Sequence, residues 1–462
     1  MSAALLIDFG STFTKLRAID LADGNIIGSG QGPSTVETDV TEGLSTALAD
    51  LEGHLGALPN FKHRLACSSA AGGLGMVTVG LVRELTAEAA KQAALGAGAK
   101  LTGAFSYGLT KGDIADIERL APDIILLAGG TDGGNAEVIL ENAAKLAAAG
   151  LTCPVVIAGN REAAEEVAAL LEAAGSPVIV TENVMPEFGV LNVEPARAAI
   201  RQVFIDRIVH AKGIDKAAAL FDAVLMPTPA AVLEGARLLS AGHGDIAGLG
   251  PLVVVDVGGA TTDVHSVADG APTKEGVIAH GLPEPHLKRT VEGDLGMRIN
   301  AAAIAEAAGL EQLAAGAGLA VARAEEILQM LSADIERLPD GEDEQRFDQT
   351  LAEAALKIAM TRHAGSLAIV QTVAGPVSVQ TGKDLGQIKT LIGTGGVLAH
   401  GKNPAAALMA TLADPLVPQS LKPQAPDIRL DKDYVLFAVG LLAEREPEAA
   451  LTLGIRHMHS VT

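Results

Sequence analysis

One short pattern occurs twice in this sequence, near the N-terminus and again past the middle. In each copy an apolar run ends in an aspartate that glycine and hydroxyl residues follow: Leu5–Thr12 contains Asp8, and Val253–Asp263 contains Asp256. The apolar, β-branched runs predict buried strands, and the glycines predict tight turns with a second strand after each. Such hairpins direct N–H groups and hydroxyls at phosphate oxygens, while the carboxylate faces a phosphate-bound Mg²⁺. We therefore predict two facing hairpins that clamp one nucleotide.

Two further glycine-containing stretches accompany the hairpins. Thr390–Leu398 reads as a strand followed by a glycine turn, and the absence of side chains at such a turn lets it approach an adenosine closely. Met226–Gly235 opens a helix shortly before the second hairpin. A single hairpin would be weak evidence, because aspartate and glycine also serve ordinary turns. The order and spacing of all four elements make the pattern specific.

At these positions the chain resembles the superfamily of acetate and sugar kinases, heat-shock chaperones and actin. Asp8–Thr12 is similar to the first phosphate motif of that superfamily, and Pro227–Gly235 to its first connecting helix. Asp256–Asp263 is similar to its second phosphate motif, and Gly393–Gly396 to its adenosine motif. The resemblance implies an α/β fold in which two actin-like ATPase domains, each ribonuclease H-like, surround a nucleotide cleft.

Within the superfamily, the chain resembles the MutL or GlmL family, the accessory proteins of adenosylcobalamin-dependent glutamate mutase. The stretches that carry this resemblance are Ile7–Lys15, Leu127–Gly134, Val291–Gly296 and Thr361–Gly365. It implies a chaperone-like ATP cycle that assists or reactivates a cobalamin-dependent carbon-skeleton mutase. The chain has no complete Asp-x-His-x-x-Gly cobalamin signature, because Ala268 replaces the glycine. We expect that it does not carry the corrinoid.

The resemblance also implies roles for individual residues, with ATP and Mg²⁺ as cofactors. Asp8 and Asp256 are the implied catalytic residues and metal ligands. The implied nucleotide-binding residues are Gly10, Ser11, Thr12, Lys15, Gly258, Gly259, Thr261, Glu292, Gly393, Thr394, Gly395 and Gly396. Lys15 could equally be a solvated lysine, and Glu292 a helix cap. Met226 stands where heat-shock chaperones have a glutamate before Pro-Thr, so the identity of any catalytic base stays open.

Composition excludes several classes of protein. A net charge of -22, with 2% aromatic residues and no tryptophan, disfavours binding of nucleic acid. The N-terminus lacks the basic region of a signal peptide, and no long apolar stretch predicts a membrane span. Cys67 and Cys153 are too few for a disulfide framework or a four-ligand metal site. We therefore expect a cytoplasmic protein. The pattern around His400, His457 and His459 predicts surface or helix-capping residues.

Strand and helix patterns divide the chain into four segments. Residues 1–85 are predicted as the first half of an N-terminal ATPase domain, and 86–185 as an inserted α/β domain. Residues 186–248 complete the N-terminal domain, and 249–462 form a C-terminal ATPase domain with a closing helix. The glycine loop 129–134, after a predicted strand, is either a ligand loop or a tight turn. The insert is the expected surface for a partner.

Three alternative functions remain open at this stage. A small-molecule kinase would use the same cleft, although no sugar-kinase signature is present. A reductive activator of the dehydratase-activator type shares the opening motif and bridges a [4Fe–4S] cluster across a dimer with two cysteines per subunit; Cys67 and Cys153 match that number only. The third alternative is an actin-like assembly protein, and a homodimer is compatible with each of the three.

Overall fold

The computed structural model describes residues 2–10, 13–35, 39–68, 75–211, 222–335, 337–373 and 375–461, without the side chains of 208–211 and 223–225. The chain divides into two compact units. Unit 1 comprises Met1–Glu234, Gly281–Pro285 and Phe437–Ala450, and unit 2 comprises Gly235–His280, His286–Leu436 and Leu451–Thr462. Among the helices in the described ranges, none is long and apolar enough to cross a membrane.

The central sheet of unit 1 is built around the first predicted hairpin. Its strands are β1 (Ala3–Phe9), β2 (Phe13–Asp20), β3 (Ile26–Pro33), β4 (Phe61–Ser68) and β10 (Ala223–Pro227). Their order is β10-β4-β1-β2-β3, in which β1, β2 and β3 are antiparallel neighbours and β4 and β10 run parallel to β1. Every residue of β1 is buried, as its unbroken apolar run predicts.

Helices cover this sheet. They are α1 (Val40–Leu55), α6 (Glu194–Ala211) and α7 (Thr228–Ala241), which begins in unit 1. Glycines in β3 let α1 approach closely, since a Cβ on Gly30 would lie only 2.2 Å from the Ala47 carbonyl oxygen. Helix α14 (Leu436–Leu442) comes equally close to α7, where a Cβ on Gly440 would lie 1.8 Å from the Ala231 carbonyl oxygen. The segment Phe437–Ala450 therefore packs within unit 1.

A second, fully parallel sheet of unit 1 lies between β4 and β10 in the sequence. Its strands are β5 (Gly75–Gly80), β6 (Lys100–Ser106), β7 (Ile124–Leu127), β8 (Val155–Ile157) and β9 (Val178–Val180), in the order β6-β5-β7-β8-β9. Its helices are a π-helical turn Arg83–Ala87, α2 (Glu88–Gly96), α3 (Lys111–Leu120), α4 (Glu137–Ala148) and α5 (Ala164–Ala173). Strands and helices alternate as the sequence pattern predicts, but β5 and β6 are two strands that the pattern does not predict.

Unit 2 repeats the strand order of the first sheet. Its strands are β13 (Leu252–Val257), β14 (Thr262–Val267), β16 (Leu287–Glu292), β19 (Thr390–Thr394), β20 (Asp427–Asp431) and β21 (Met458–Ser460), in the order β16-β14-β13-β19-β20-β21. Smaller sheets comprise β11 (Gly242–His243) with β12 (Ile246–Ala247), and β15 (Val277–His280) with β18 (Gly375–Thr381) and β17 (Ser366–Thr372). As in unit 1, three antiparallel strands are followed by two parallel ones, and β21 then pairs antiparallel with β20.

Helices form a layer on the sheet of unit 2. They are α8 (Ala301–Ala308), α9 (Leu310–Ala317), α10 (Val321–Ala333), α11 (Gly341–His363), α12 (Gly396–His400), α13 (Pro404–Met409) and α15 (Pro447–His457), whose last turns lie in this unit. Helix α11 buries Phe347, Leu351 and Ala355, which recur every four residues on one face. When the first five strands of each sheet are numbered along the chain, both sheets have the order 3-2-1-4-5. This is the strand order of an actin-like, ribonuclease H-like domain. The predicted fold class is confirmed.

Candidate nucleotide site

Asp8, next to the end of β1, is held by side chains from two other elements of unit 1. Only 1% of Asp8 is exposed. Its Oδ1 accepts a 2.6 Å hydrogen bond from the Thr228 hydroxyl, and the Cys67 thiol points at the same oxygen from 3.5 Å. Strand register explains this grouping, because Asp8 is paired with Cys67, and Cys67 with Met226 two residues before Thr228. The connecting helix α7 therefore begins at the first aspartate.

The two cysteines of the chain are buried as thiols. Burial, followed by the negative charge of Asp8, raises the pKa of the Cys67 thiol well above its ordinary value. Burial also raises the pKa of the Cys153 thiol, which lies in the parallel sheet region and is 8% exposed. A cluster shared between two subunits requires ligands at the surface. Neither cysteine side chain is exposed in the described structure.

The first hairpin turn closes on a glycine. The Gly10 N–H donates to the Phe13 carbonyl oxygen at 3.0 Å, and a Cβ on Gly10 would lie 2.5 Å from that oxygen. Lys15 is half-buried on β2, directly opposite Asp8 in the strand register. The predicted residues Ser11 and Thr12 lie outside the described residues. Met226 is buried in β10 and offers no carboxylate at the position of the chaperone glutamate.

Asp256, at the corresponding place in unit 2, lies against the predicted adenosine loop. It is half-buried and is paired with Asp263 on β14 and Thr394 on β19. Gly395 follows β19 with a φ of 101°, and a Cβ there would lie 2.9 Å from Asp256 Oδ1 and 2.3 Å from the Val257 carbonyl oxygen. Two motifs that are far apart in the sequence are therefore in contact through a backbone that only glycine allows.

The second hairpin turn is supported by the segment that follows β16. The Gly258 N–H donates to the Thr261 carbonyl oxygen at 2.9 Å and closes the turn. The carbonyl oxygens of Gly258 and Gly259 accept hydrogen bonds from the backbone of Met297 and Arg298 at 3.1 and 2.9 Å. Gly259 is exposed and Thr261 is half-buried. The turn is thus held from one side, with part of its backbone left accessible.

The remaining residues of the predicted adenosine loop differ in what they face. The buried Thr394 hydroxyl donates to Asp431 Oδ2 at 3.1 Å, so its side chain is engaged within the protein. A Cβ on Gly393 would lie 2.7 Å from the Leu408 side chain, which makes this glycine a packing requirement. A Cβ on Gly396 would meet nothing within 4 Å. Open space at this loop therefore lies beside Gly396.

Glu292 belongs to an ion cluster that the sequence does not predict. Its Oε2 lies 2.7 Å from Arg362, which also makes contacts of 2.7 and 2.8 Å with the two carboxylate oxygens of Asp294. Burial raises the pKa of Glu292 and outweighs the opposing effect of Arg362. The cluster joins two of the stretches that carry the family resemblance, 291–296 and 361–365. The one sequence feature that points to Arg362 is its place in the stretch 361–365; its pairing with Glu292 and Asp294 is visible only in the structure.

Comparison with known proteins identifies the family. The MutL protein family model matches residues 4–458. Protein MutL of Clostridium tetanomorphum is 48% identical over 462 residues, covering all of both chains. The chain belongs to the MutL family.

Solved structures resemble this MutL-family chain only distantly. Xylulose kinase from Bifidobacterium adolescentis is 14% identical, with 98% of this chain and 93% of that chain covered and a TM-score of 0.32. A glycerol dehydratase reactivase is 11% identical, with 96% and 99% covered and a TM-score of 0.36. At such low TM-scores, the fold assignment depends on the strand orders of the two units rather than on these neighbours.

Proposed function

We propose that this chain binds Mg-ATP and hydrolyses it. The observation that supports this most directly is that, within each unit, the hairpin aspartate meets a motif remote in the sequence. Asp8 accepts a hydrogen bond from Thr228, and Asp256 lies against Gly395. In this proposal the two hairpins face one nucleotide. Metal- and phosphate-directed carboxylates, a hydroxyl and a glycine loop are the components that such a site requires.

The residues present suit magnesium. Asp8 and Asp256 provide hard carboxylate oxygens, which Mg²⁺ prefers, and they would hold the ion directly or through water. When bound, Mg²⁺ neutralises phosphate charge. The Gly10 and Gly258 N–H groups already close their turns. Phosphate binding therefore falls to the residues between, at 11–12 and 259–261, and adenosine binding to the open side of Gly396. Rate enhancement then comes from positioning and fixed charges.

The first experiment measures nucleotide binding and turnover in the full-length chain. Calorimetry should show adenine-nucleotide binding that requires Mg²⁺, and purified chain alone should release phosphate. Asp8→Asn and Asp256→Asn should each lower turnover by ~100-fold or more, because each removes a charge from the metal. Phe188→Ser, at a 78% exposed side chain, is the control that should leave turnover unchanged. Wild-type turnover in either aspartate variant would show that its carboxylate has another role.

We further propose that the ATP cycle assists or reactivates a cobalamin-dependent carbon-skeleton mutase, with glutamate mutase as the client. Membership of the MutL family supports this proposal. Release of the γ-phosphate would remove a contact that two domains share. The loss of such a contact commonly couples hydrolysis to domain movement. We assign the contact with the client to the inserted region 86–185. We place this activity in the cytoplasm.

Reactivation can be tested with an inactivated mutase. Glutamate mutase is inactivated by turnover and then incubated with this chain, Mg-ATP and fresh adenosylcobalamin. We expect activity to return only with hydrolysable ATP, and to fail with Asp256→Asn. A variant in which a short linker replaces the insert should keep ATP turnover but lose reactivation. Equal reactivation by the linker variant would remove the insert from the mechanism, and failure with every cobalamin mutase would leave an ATPase without this client.

The same experiments distinguish the alternative functions. Turnover of ATP without an added acceptor argues against a small-molecule kinase. The burial of the Cys67 and Cys153 side chains disfavours a reductive activator, which would have to bind iron and sulfide after anaerobic reconstitution. Sedimentation with and without ATP reports homodimerisation and would reveal an assembly protein.

A further inference from the structure

The C-terminal segment of unit 2 brings two histidines to one carboxylate. His457 ends α15 and His459 lies in β21, so one residue separates them at a helix-to-strand junction. His457 Nδ1 lies 2.7 Å and His459 Nε2 3.1 Å from the same oxygen, Asp433 Oδ2. One potential ligand atom from each of the three residues lies within 4.8 Å of the other two. The sequence pattern alone, which suggests surface histidines, does not reveal this convergence.

The backbone fixes all three residues on structured elements. Strand β21 pairs with β20, which places His459 opposite Leu430 and the buried Met458 opposite Asp431. Asp433 lies two residues after the end of β20 and precedes Tyr434, whose φ of 51° is a left-handed conformation that is costly for a non-glycine residue. The side chains are therefore presented by a sheet edge and a constrained turn, not by a loose terminus.

The chemistry of the cluster is that of a metal-binding set. Asp433 Oδ2 is the point at which the two ring nitrogens meet. Nε2 of His457 is buried and has no hydrogen-bond partner among the described residues, so Asp433 is the polar group that orients this ring.

We propose that Asp433, His457 and His459 form a binding site for a divalent transition-metal ion of the zinc type. Two imidazole nitrogens and one carboxylate oxygen are a common ligand set for Zn²⁺, with ligand distances of about 2.0–2.2 Å. Ligands at those distances in a tetrahedral site lie about 3.3 Å apart. The separations of 2.7 and 3.1 Å need only small movements to admit the ion. Mg²⁺ and Ca²⁺ prefer oxygen ligands, so this site is chemically distinct from the nucleotide site.

Exposure leaves room for a further ligand. The side chains of His459 and Asp433 are 49% and 37% exposed, while that of His457 is 15% exposed. Water or a group from outside the chain would complete the coordination. Strand β20 also carries Asp431, which accepts the hydrogen bond from Thr394 in the predicted adenosine loop. A bound ion would therefore hold β21 against the strand that contacts this loop. We expect it to stabilise this sheet edge.

The test uses the full-length chain after treatment with EDTA and removal of the chelator. Titration with Zn²⁺ in a calorimeter should give one ion per chain, and Co²⁺ should give visible d–d absorption of low-symmetry coordination. His459→Gln should weaken Zn²⁺ binding at least ~10-fold and remove the Co²⁺ bands, because it deletes one of three ligands. His400→Gln, at an exposed histidine elsewhere in unit 2, is the matched control and should bind metal like the parent.

Folding of the variants is checked separately by their melting temperature without metal, which should match that of the parent. Zn²⁺ should raise the melting temperature of the parent and of His400→Gln, but not of His459→Gln. Absence of saturable Zn²⁺ binding, or equal affinity in His459→Gln, would overturn the proposal. Since ATP is absent throughout, failure here leaves the proposed ATPase activity untouched.

Discussion

Asp8 and Asp256 lie next to the ends of equivalent strands in sheets that share a five-strand order, but the contacts described for them differ. Asp8 is almost fully buried and is fixed by two side chains, the Thr228 hydroxyl and the Cys67 thiol. Asp256 is half-buried and lies against the backbone at Gly395. The contacts described for the two aspartates therefore differ in kind, with side-chain hydrogen bonds at Asp8 and a close backbone approach at Asp256. The first arrangement depends on a hydroxyl, whereas the second depends on the absence of a Cβ atom.

The largest effect is expected where packing leaves no space. Gly395→Ala introduces a Cβ at 2.3 Å from a carbonyl oxygen and forces a left-handed φ on alanine. We expect the stability of unit 2 to fall by about 2–4 kcal/mol and ATP turnover by ~100-fold or more. Denaturant unfolding and phosphate release measure the two effects.

The control for Gly395→Ala is the next residue, Gly396, where an added Cβ would meet no atom within 4 Å. Gly396→Ala should change stability by less than about 1 kcal/mol. Similar losses of stability and turnover in both alanine variants would show that the contact with Asp256 is not the cause.

A smaller effect is expected in unit 1. Thr228→Val keeps the shape of the side chain but removes the donor to Asp8, leaving a buried carboxylate oxygen without that partner. We expect a loss of about 1–3 kcal/mol in stability and ~10-fold in ATP turnover. Thr228→Ser keeps the hydroxyl and should stay close to the parent in turnover. If serine and valine lower turnover equally, the hydrogen bond to Asp8 is not what positions the carboxylate.

The smallest expected effect is a difference in acid sensitivity between the units. His265 and His363 are fully buried in unit 2. Burial, followed by the charge of Arg289, lowers the pKa of His265 well below 6.5. Burial, followed by the charges of Lys288, Lys383 and His265, does the same to the pKa of His363.

A folded pKa below the unfolded value means that the unfolded state binds more protons in the interval between them. Stability is therefore fully present above pH 6.5 and is lost as pH falls below it. Calorimetric scans from pH 7.5 to 5 should show unit 2 melting progressively earlier. His265→Leu should reduce this shift, while His280→Gln, at an exposed position of the same unit, should not. An unchanged shift in His265→Leu would exclude this histidine as a source.

Much of the fold and part of the site follow from local sequence. The strands that contain Asp8 and Asp256 are long apolar runs ended by glycine, and Gly395 is needed where its φ is positive. Thr394 shows the limit of such reasoning. It belongs to the adenosine motif, but the alternation of side chains along β19 directs its hydroxyl to Asp431 instead of toward open space.

Other contacts depend on pairings between distant segments. Thr228 reaches Asp8 only because β10 and β1 both flank β4, and Arg362 reaches Glu292 from the end of a long helix. Strand β5 has only four residues between two glycines, and β6 has a single β-branched residue, so their pattern is weak although they pair within a parallel sheet. Tertiary pairing determines these features, and no local pattern encodes it.

The parallel sheet region is joined to the rest of unit 1 at two neighbouring strands, β4 and β10. Strand β4 carries Cys67 shortly before β5 begins, and β10, which comes after β9 and α6, carries Met226 and leads to Thr228. The side chains of Cys67 and Thr228 both contact Asp8. A pull on the parallel sheet that moved β10 relative to β4 would act as shear between these two strands, and the hydrogen bond from Thr228 to Asp8 crosses them.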